Sequence, residues 1–322
     1  MKNVLITGGL GFLGSHSIEK FKAEGWNVTV VDNLSSSVIT PDDPICKDVN
    51  VVICDLLDYN WGSTQFNLIL HYASPVGPVG VLKHSGQMAN MILEDTYRVI
   101  LGAKINRNCP LIFVSTSEIY GYRDHAIMLK ENDDKVLVGE FSVRNEYAQA
   151  KLLAEIVLCN TAKTSNLKYQ IVRPFNISGA RQLKAGGFVL PTFVTQALEG
   201  KDITVFGNGE QVRAFTHVKD IVDGIYLVST MNKYNQIWNI GNSHNISTIN
   251  YIANCVKEVT KSKSKIIHVD PKTIHGPLFE ETWDKVPNSE KISSELEWCP
   301  IYDREYIIHD VINFYRSKYN GK

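Results

Sequence analysis

The sequence predicts an α/β protein: a doubly wound parallel sheet of the Rossmann type, followed by a smaller C-terminal α/β substrate-binding unit. Three observations carry this. Residues 7–16 read TGGLGFLGSH directly after the apolar run Val4 to Ile6, a strand ending in a glycine turn that opens a helix. Apolar strands then alternate with helical stretches through the first half of the chain, the mark of a parallel sheet covered on both faces. Asp32 closes the second strand, 18 residues after Gly14. An acid there can accept hydrogen bonds from the ribose of a dinucleotide and would repel a 2′-phosphate.

Strands are expected, in chain order, at 3–7, 27–32, 50–53, 67–71 and 110–115, with helices around 12–24, 85–105 and 145–162. A further strand, 169–172, ends at Arg173-Pro174. After it the texture turns glycine-rich, from Gly179 to Gly209, which marks a second unit. A helix from Asp220 and a short strand at 237–240 can return to the first. The expected division is a dinucleotide-binding domain at 1–175 plus about 217–243, and a substrate domain at 176–216 and 244–322.

In the opening turn each glycine has a physical task. Gly8, Gly11 and Gly14 allow the backbone turn, close approach to a pyrophosphate and tight helix–strand packing. The helix N-terminus behind them offers free N–H groups and partial positive charge to phosphate. The acid at residue 32 selects NAD(H) over NADP(H).

Bulk properties exclude several classes. The chain has 322 residues and a net charge of −1, so electrostatics favour neither nucleic acid nor a membrane surface. The six cysteines are scattered, without C-x-x-C pairs or metal-ligand spacing, so reduced thiols in the cytoplasm and no metal site are expected. The first strand starts at residue 3, leaving no room for a signal peptide, and no apolar run approaches the roughly 20 residues a membrane span needs.

Residues 147–151 read YAQAK. A spacing of four places Tyr147 and Lys151 on one helix face. A phenol is a poor base at neutral pH, and an ammonium beside it stabilises the phenolate. The sequence S-T-S-E at 115–118 ends the fifth strand, on the sheet edge where ligands bind in doubly wound folds. There Thr116 can polarise the oxygen that Tyr147 deprotonates.

These motifs together resemble the extended short-chain dehydrogenase/reductase family, the branch that modifies nucleotide-activated sugars. The resemblance runs over nearly the whole chain: TGGLGFLGSH, Asp32, Cys54-Asp55-Leu56, His71-Tyr72-Ala73-Ser74, STSEIYG at 115–121, Tyr147 with Lys151, RPFNISGAR at 173–181, GNGEQVRAFTHVKD at 207–220 and a late Pro287. It implies cofactor contacts at Gly8, Gly11, Phe12, Leu13, Gly14, Asp32, Asn33, Asp55, Leu56 and Ala73, together with Tyr147 and Lys151. It implies a catalytic trio of Thr116, Tyr147 and Lys151. It also places a nucleotide sugar against Asn176 and Arg213, with Val205 and Phe206 near the base. Arg181 is a further candidate substrate contact. His217 is either a substrate contact or a structural residue.

The family's shared first step is oxidation of the sugar C4 hydroxyl to a ketone by NAD. Residues 117 and 118 bear on the fate of that ketone. Family dehydratases carry Asp-Glu there, and this chain has Ser117-Glu118. That pair resembles the UDP-glucuronate decarboxylases, in which the C4 ketone makes C6 a β-keto acid. Lys285 stands where their pattern has an arginine, and residues 76–96 depart from the usual family stretch. Glu118 is then a base at C5 or a hydrogen-bonding residue. Decarboxylation of a nucleotide hexuronate is the expected reaction. A 4-epimerase or a stand-alone C4 dehydrogenase/reductase is the alternative, and a non-catalytic NAD-binding scaffold or redox sensor is the alternative of another class. Helices 85–105 and 145–162 carry apolar residues on more than one face (Met88, Met91, Ile92, Val99, Ile100; Leu152, Leu153, Ile156, Val157), from which a homodimer through a four-helix bundle is expected.

Overall fold

A computed structural model describes residues 2–62, 64–123, 127–137, 139, 141–279 and 284–320. Its centre is a seven-stranded sheet of β1 (Asn3–Thr7), β2 (Asn27–Asp32), β3 (Asn50–Ile53), β4 (Leu68–His71), β5 (Leu111–Val114), β6 (Tyr169–Pro174) and β7 (Gln236–Ile240). The spatial order is β3-β2-β1-β4-β5-β6-β7, and every pairing is parallel. The chain winds outward from β1 in one direction and from β4 in the other. The crevice for a ligand therefore lies beyond the carboxyl ends of β1 and β4.

Helices cover both faces because the central strands are apolar on both sides. Val4, Leu5 and Ile6 are all fully buried. One core lies between the sheet and α3 (Met88–Ile105) with α4 (Val143–Thr164). The opposite core holds α1 (Phe12–Ala23) and α6 (Val218–Thr230). A third core, built by α5 (Val189–Leu198), α7 (Ile249–Thr260) and the helix Arg304–Asn320, belongs to the smaller C-terminal unit. There Ile203–Phe206 pairs with Ile266–Val269. His217 caps α6 and lies 3.0 Å from Asp310 of the last helix, so it ties that helix to the start of α6.

The helix expected at 85–105 forms as α3 (Met88–Ile105), and a further short helix precedes it. Pro78 starts α2 (Gly77–Lys83), and α3 begins only at Met88. The break carries Gly86 at φ +80°. Glu146, in the first turn of α4, accepts the Gly86 N–H at 2.6 Å and the Ala89 N–H at 3.3 Å. The α4 start is itself fixed by a reciprocal cap between Ser142 and Asn145, the arrangement that satisfies two orphan backbone donors at once.

The glycine turn is tightly closed. A Cβ at Gly14 would stand 2.4 Å from the Gly8 carbonyl oxygen and 2.5 Å from Gly9 Cα, both backbone atoms. Gly14→Ala must therefore separate α1 from the turn. The expected result is a loss of about 1–3 kcal/mol in chemical denaturation together with loss of NAD binding.

Candidate active site

The dinucleotide cradle forms where β1 and β4 end. Gly8 takes φ +66°, and a Cβ there would meet Ala73 N and Cα at 2.9 Å. Ala73 is held in place by Thr7. The Thr7 hydroxyl accepts from the Tyr72 and Ala73 N–H groups at 3.2 Å each, and lies 2.8 Å from His71 Nδ1. Burial, with the Lys151 charge adding, pushes His71 down to about 3, so the ring is neutral. Gly11 caps α1 with no side chain, which leaves the N–H groups of the first turn, Phe12 and Leu13 among them, for an anion.

Asp32 is buried at the end of β2. Its carboxylate accepts from Leu10 N–H at 2.9 Å, Leu34 N–H at 2.8 Å and the Ser37 hydroxyl at 2.9 Å. A negative charge fixed there suits ribose hydroxyls and opposes a phosphate. Next to it, Asn33 donates to Asp55 at 3.3 Å, and Asp55 caps the turn of Leu56 and Leu57. These residues fit NAD: a cradle that a Cβ would fill, free helix donors, and a carboxylate at the ribose position.

The reactive edge follows β5. Thr116 caps a short 3-10 turn, Ser117–Tyr120, by accepting the Glu118 N–H at 3.1 Å. Its hydroxyl also hydrogen-bonds with the Tyr147 phenol of α4. Burial pushes that phenol well above its ordinary value, the Glu118 charge pushes the same way, and the Thr116 bond opposes them. Lys151 donates to the Val114 carbonyl at 3.1 Å and sits 4.9 Å from the centre of the Phe113 ring. Burial lowers it to about 8, against the pull of Asp95 and Glu155. The shared helix face puts Lys151 on the same wall as Tyr147, with its ammonium anchored to the strand end. Asp95, on α3 within the unusual 76–96 stretch, is raised to about 7 by burial and by Asp55, against Lys151.

Glu118 sits between two cations. Arg144 Nη1 is 3.0 Å from Oε2, and Lys285 Nζ bonds Oε1. Burial alone would raise this carboxyl, but Lys285 and Arg144 hold it at about 2. Lys285 is itself lowered to about 8 by burial, with Glu118 opposing. A carboxylate so stabilised is a weak proton acceptor. Arg144 escaped the sequence reading. Its signal was its place one helical turn before Tyr147, on the same face.

Of the expected substrate contacts, three converge. Arg213 bridges Lys285 backbone to backbone, and Asn176, at φ +41°, donates to the Ala214 carbonyl at 3.3 Å and the Lys285 carbonyl at 3.5 Å. Arg213 also faces Asp284 at 3.9 Å. Val205 points its side chain into the core of the smaller unit. Its neighbour Phe206 meets His275 and Phe279 at 5.6 and 5.5 Å, and those two rings stack at 4.7 Å. Arg181 goes elsewhere: it pairs with Glu19 and donates to His16 at 3.2 Å, both on α1.

The NAD-dependent epimerase/dehydratase family matches residues 4–241. This is a family of NAD-using enzymes that modify nucleotide sugars, and the chain belongs to it. The chain is similar to the UDP-N-acetyl-alpha-D-glucosaminuronate decarboxylase of Bacillus cytotoxicus, 32% identical over 98% of each chain. It is also similar to UDP-glucuronic acid decarboxylase 1 of Xenopus tropicalis, 27% identical over 98% of this chain and 73% of the relative. The fold matches UDP-glucose 4-epimerase of Thermotoga maritima, solved with UDP-glucose, at a TM-score of 0.86 and 24% identity over 98% and 99% of the two chains. It also matches dTDP-glucose 4,6-dehydratase of Bacillus anthracis in complex with NAD, at 0.82 and 22% over 99% and 98%.

Proposed function

We propose that this enzyme decarboxylates a nucleotide-linked hexuronate through a transient C4 ketone. One observation carries the choice of reaction. Lys285, buried, and Arg144, half-buried, both pair with the Glu118 carboxylate beside Thr116 and Tyr147. Cationic donors at this edge suit the carboxylate of a uronate at C6. The two decarboxylase relatives, named for an N-acetylated and a plain uronate, support the same reading.

Tyr147, bonded to Thr116, would act as the phenolate once the positive charges of Lys151 and of bound NAD favour loss of its proton, and in that form it takes the proton of the C4 hydroxyl. Lys151 contributes the positive charge of that wall, and Asn176 and Arg213 anchor the diphosphate. Bound NAD supplies the positive ring and the hydride acceptor for C4, and the hydride is returned at the end. With C4 a ketone, the C5–C6 bond breaks. Its electron pair moves into the C4 carbonyl as an enolate, and carbon dioxide leaves. C5 then takes a proton. Of the two cations, only the Lys285 ammonium can release one near neutral pH, since a guanidinium does not. Tyr147 finally returns its proton to the C4 oxygen. Ser117 offers no acid for expelling a C6 hydroxyl, which disfavours dehydration.

A panel of nucleotide sugars tests this by product mass. A nucleotide pentose formed from a nucleotide hexuronate supports it, and an isomer of unchanged mass, or a product lighter by two hydrogens, overturns it.

We also infer a homodimer in a reducing compartment. All six cysteines are free thiols. Met88, Ile92, Val99 and Ile100 are buried in the chain's own core. A different stripe is left over: Tyr97, Leu101 and Ile105 on α3, with Leu153 and Ile156 on α4, are between 42% and 57% exposed. The pair Leu101→Glu and Leu153→Glu is expected to convert a dimer into a monomer of 36.2 kDa in light scattering. A wild-type monomer would contradict this.

A further inference from the structure

We propose that Arg173 is a positioning residue: one buried guanidinium at the end of β6 fixes the three segments that carry Glu118, Lys285 and the Tyr147–Lys151 pair. For Lys285 this rests on the decarboxylase reading; for Tyr147 and Lys151 it needs only oxidation at C4. Arg173 and Glu155 are each 2% exposed. Arg173 Nε donates to Glu155 Oε1 at 3.0 Å and Nη2 donates to Oε2 at 2.6 Å, so guanidinium and carboxylate meet as two forks. Nη1 donates to the Tyr120 hydroxyl and to the Glu131 carbonyl, each at 2.8 Å.

Each partner belongs to a different segment. Tyr120 is the last residue of the 3-10 turn that Thr116 caps and that holds Glu118. Its hydroxyl donates onward to Asn239 Oδ1 of β7 at 2.7 Å. Glu155 lies on α4 one turn after Lys151, on the face that also carries Tyr147. Glu131 ends a short segment in which Met128–Leu129 pairs with Val286–Pro287, the two residues that follow Lys285. Asn239, the register partner of Arg173 on the next strand, holds the same segment. Its Nδ2 donates to the Leu129 carbonyl at 2.8 Å, and its N–H donates to the Glu131 carboxylate at 2.9 Å. The Leu129 carbonyl also accepts the Asn288 N–H at 2.9 Å. Arg173 and Asn239 together therefore set where Lys285 stands.

A buried ion pair adds little net stability, because hydrocarbon of similar volume often serves a fold as well. What a guanidinium adds is direction. Its N–H groups are coplanar and fixed relative to one another, so the bonds to Glu155, Tyr120 and Glu131 hold together in only one arrangement of the three segments. Glu155 and Asp95 of α3 both pull Lys151 up against burial, while His71 of β4 is neutral. Around Lys285, Glu118 pulls up and Arg144 and Arg213 push down. Loosening the network would alter the charge each lysine meets and the reach of Tyr147 at once.

The test is Arg173→Lys in the full-length enzyme, which keeps the charge and loses the fork. NAD affinity and melting temperature report that the variant is folded. Carbon dioxide release is followed from UDP-linked glucuronate or its 2-acetamido form, whichever the wild type converts faster. Its kcat should fall by at least about 10-fold, toward the roughly 100-fold that a misplacement of about 1 Å costs. In substrate-free enzyme, NMR of isotope-labelled lysine should show Lys151 and Lys285 titrating at lower pH than in wild type, because Glu155 and Glu118 no longer keep their places. The substitution removes no charge, so such shifts report displaced groups, which lost stability alone does not produce. Full kcat, or titrations that stay at their wild-type positions, overturns the proposal. Release from neither sugar by the wild type removes the decarboxylase reading, and the titrations then decide alone: lower values support the network and unchanged values overturn it. If Arg173→Lys does not fold, the apolar pair Arg173→Met with Glu155→Met replaces it. A folded, NAD-binding enzyme with kcat down about 100-fold then supports the proposal, and full kcat overturns it.

Discussion

Tyr147→Phe is expected to reduce turnover by about 100- to 10,000-fold, the range that a positioned acid–base group contributes. NAD binding and thermal stability should stay close to wild type, because the ring remains in the same buried site and only the bond to Thr116 is lost. The readout is reduced nicotinamide absorbance on adding substrate, which the variant should not produce. Full activity would overturn the assignment. The same chemistry sets a pH limit. Lys151 and Lys285 are both lowered to about 8, so activity should fall as pH rises through about 8 and both ammoniums lose their protons. Stability should move the other way. Between about 8 and the ordinary lysine value the unfolded chain binds more protons than the folded one, so these two groups make stability rise with pH. Opposite slopes of rate and unfolding midpoint over that interval distinguish the two lysines from general alkaline denaturation.

Lys285→Met carries the second large effect. It leaves Glu118 buried with Arg144 as its remaining cation partner, and breaking a buried pair costs about 3–5 kcal/mol. Stability in denaturant should fall by that order. Decarboxylation should fall by about 100-fold or more, the order expected when a charged partner for a substrate carboxylate is lost at a cost of several kcal/mol. Lys285→Arg keeps the charge and should recover most of the stability. Adding Glu118→Gln to Lys285→Met should also restore stability without restoring turnover, which separates the structural pair from the carboxylate receptor. At low pH the Glu118 contribution obeys the carboxylate rule. Held at about 2, it stabilises fully above the ordinary glutamate value, and that stabilisation is lost as pH falls toward 2.

Local chemistry was legible in the sequence wherever the groups lie close along the chain. The glycine turn, Asp32 and the Tyr147–Lys151 spacing each specify a backbone conformation or a helix face within a few residues. What stayed hidden depends on distant meetings. Glu118 finds Arg144 across 26 residues and Lys285 across 167. No periodicity reveals that the three share one charge balance. Arg181, in a glycine-rich loop, meets Glu19 and His16 of α1, more than 160 residues away, partners that no local spacing announces. The spacing of Lys151 fixed its face, while the partner of its ammonium, the Val114 carbonyl, is a backbone atom on a strand end. α2 stayed hidden because Gly77, Pro78 and Gly80 crowd it with residues that disfavour a helix interior.

The central claim is that C4 is oxidised and then reduced within one active site while C6 is lost. A nucleotide hexuronate carrying deuterium at C4 tests it most directly. The account predicts equal amounts of carbon dioxide and nucleotide pentose, with the deuterium retained at C4 of the pentose. Loss of the deuterium, or a product that keeps its C6 carboxylate, would contradict it.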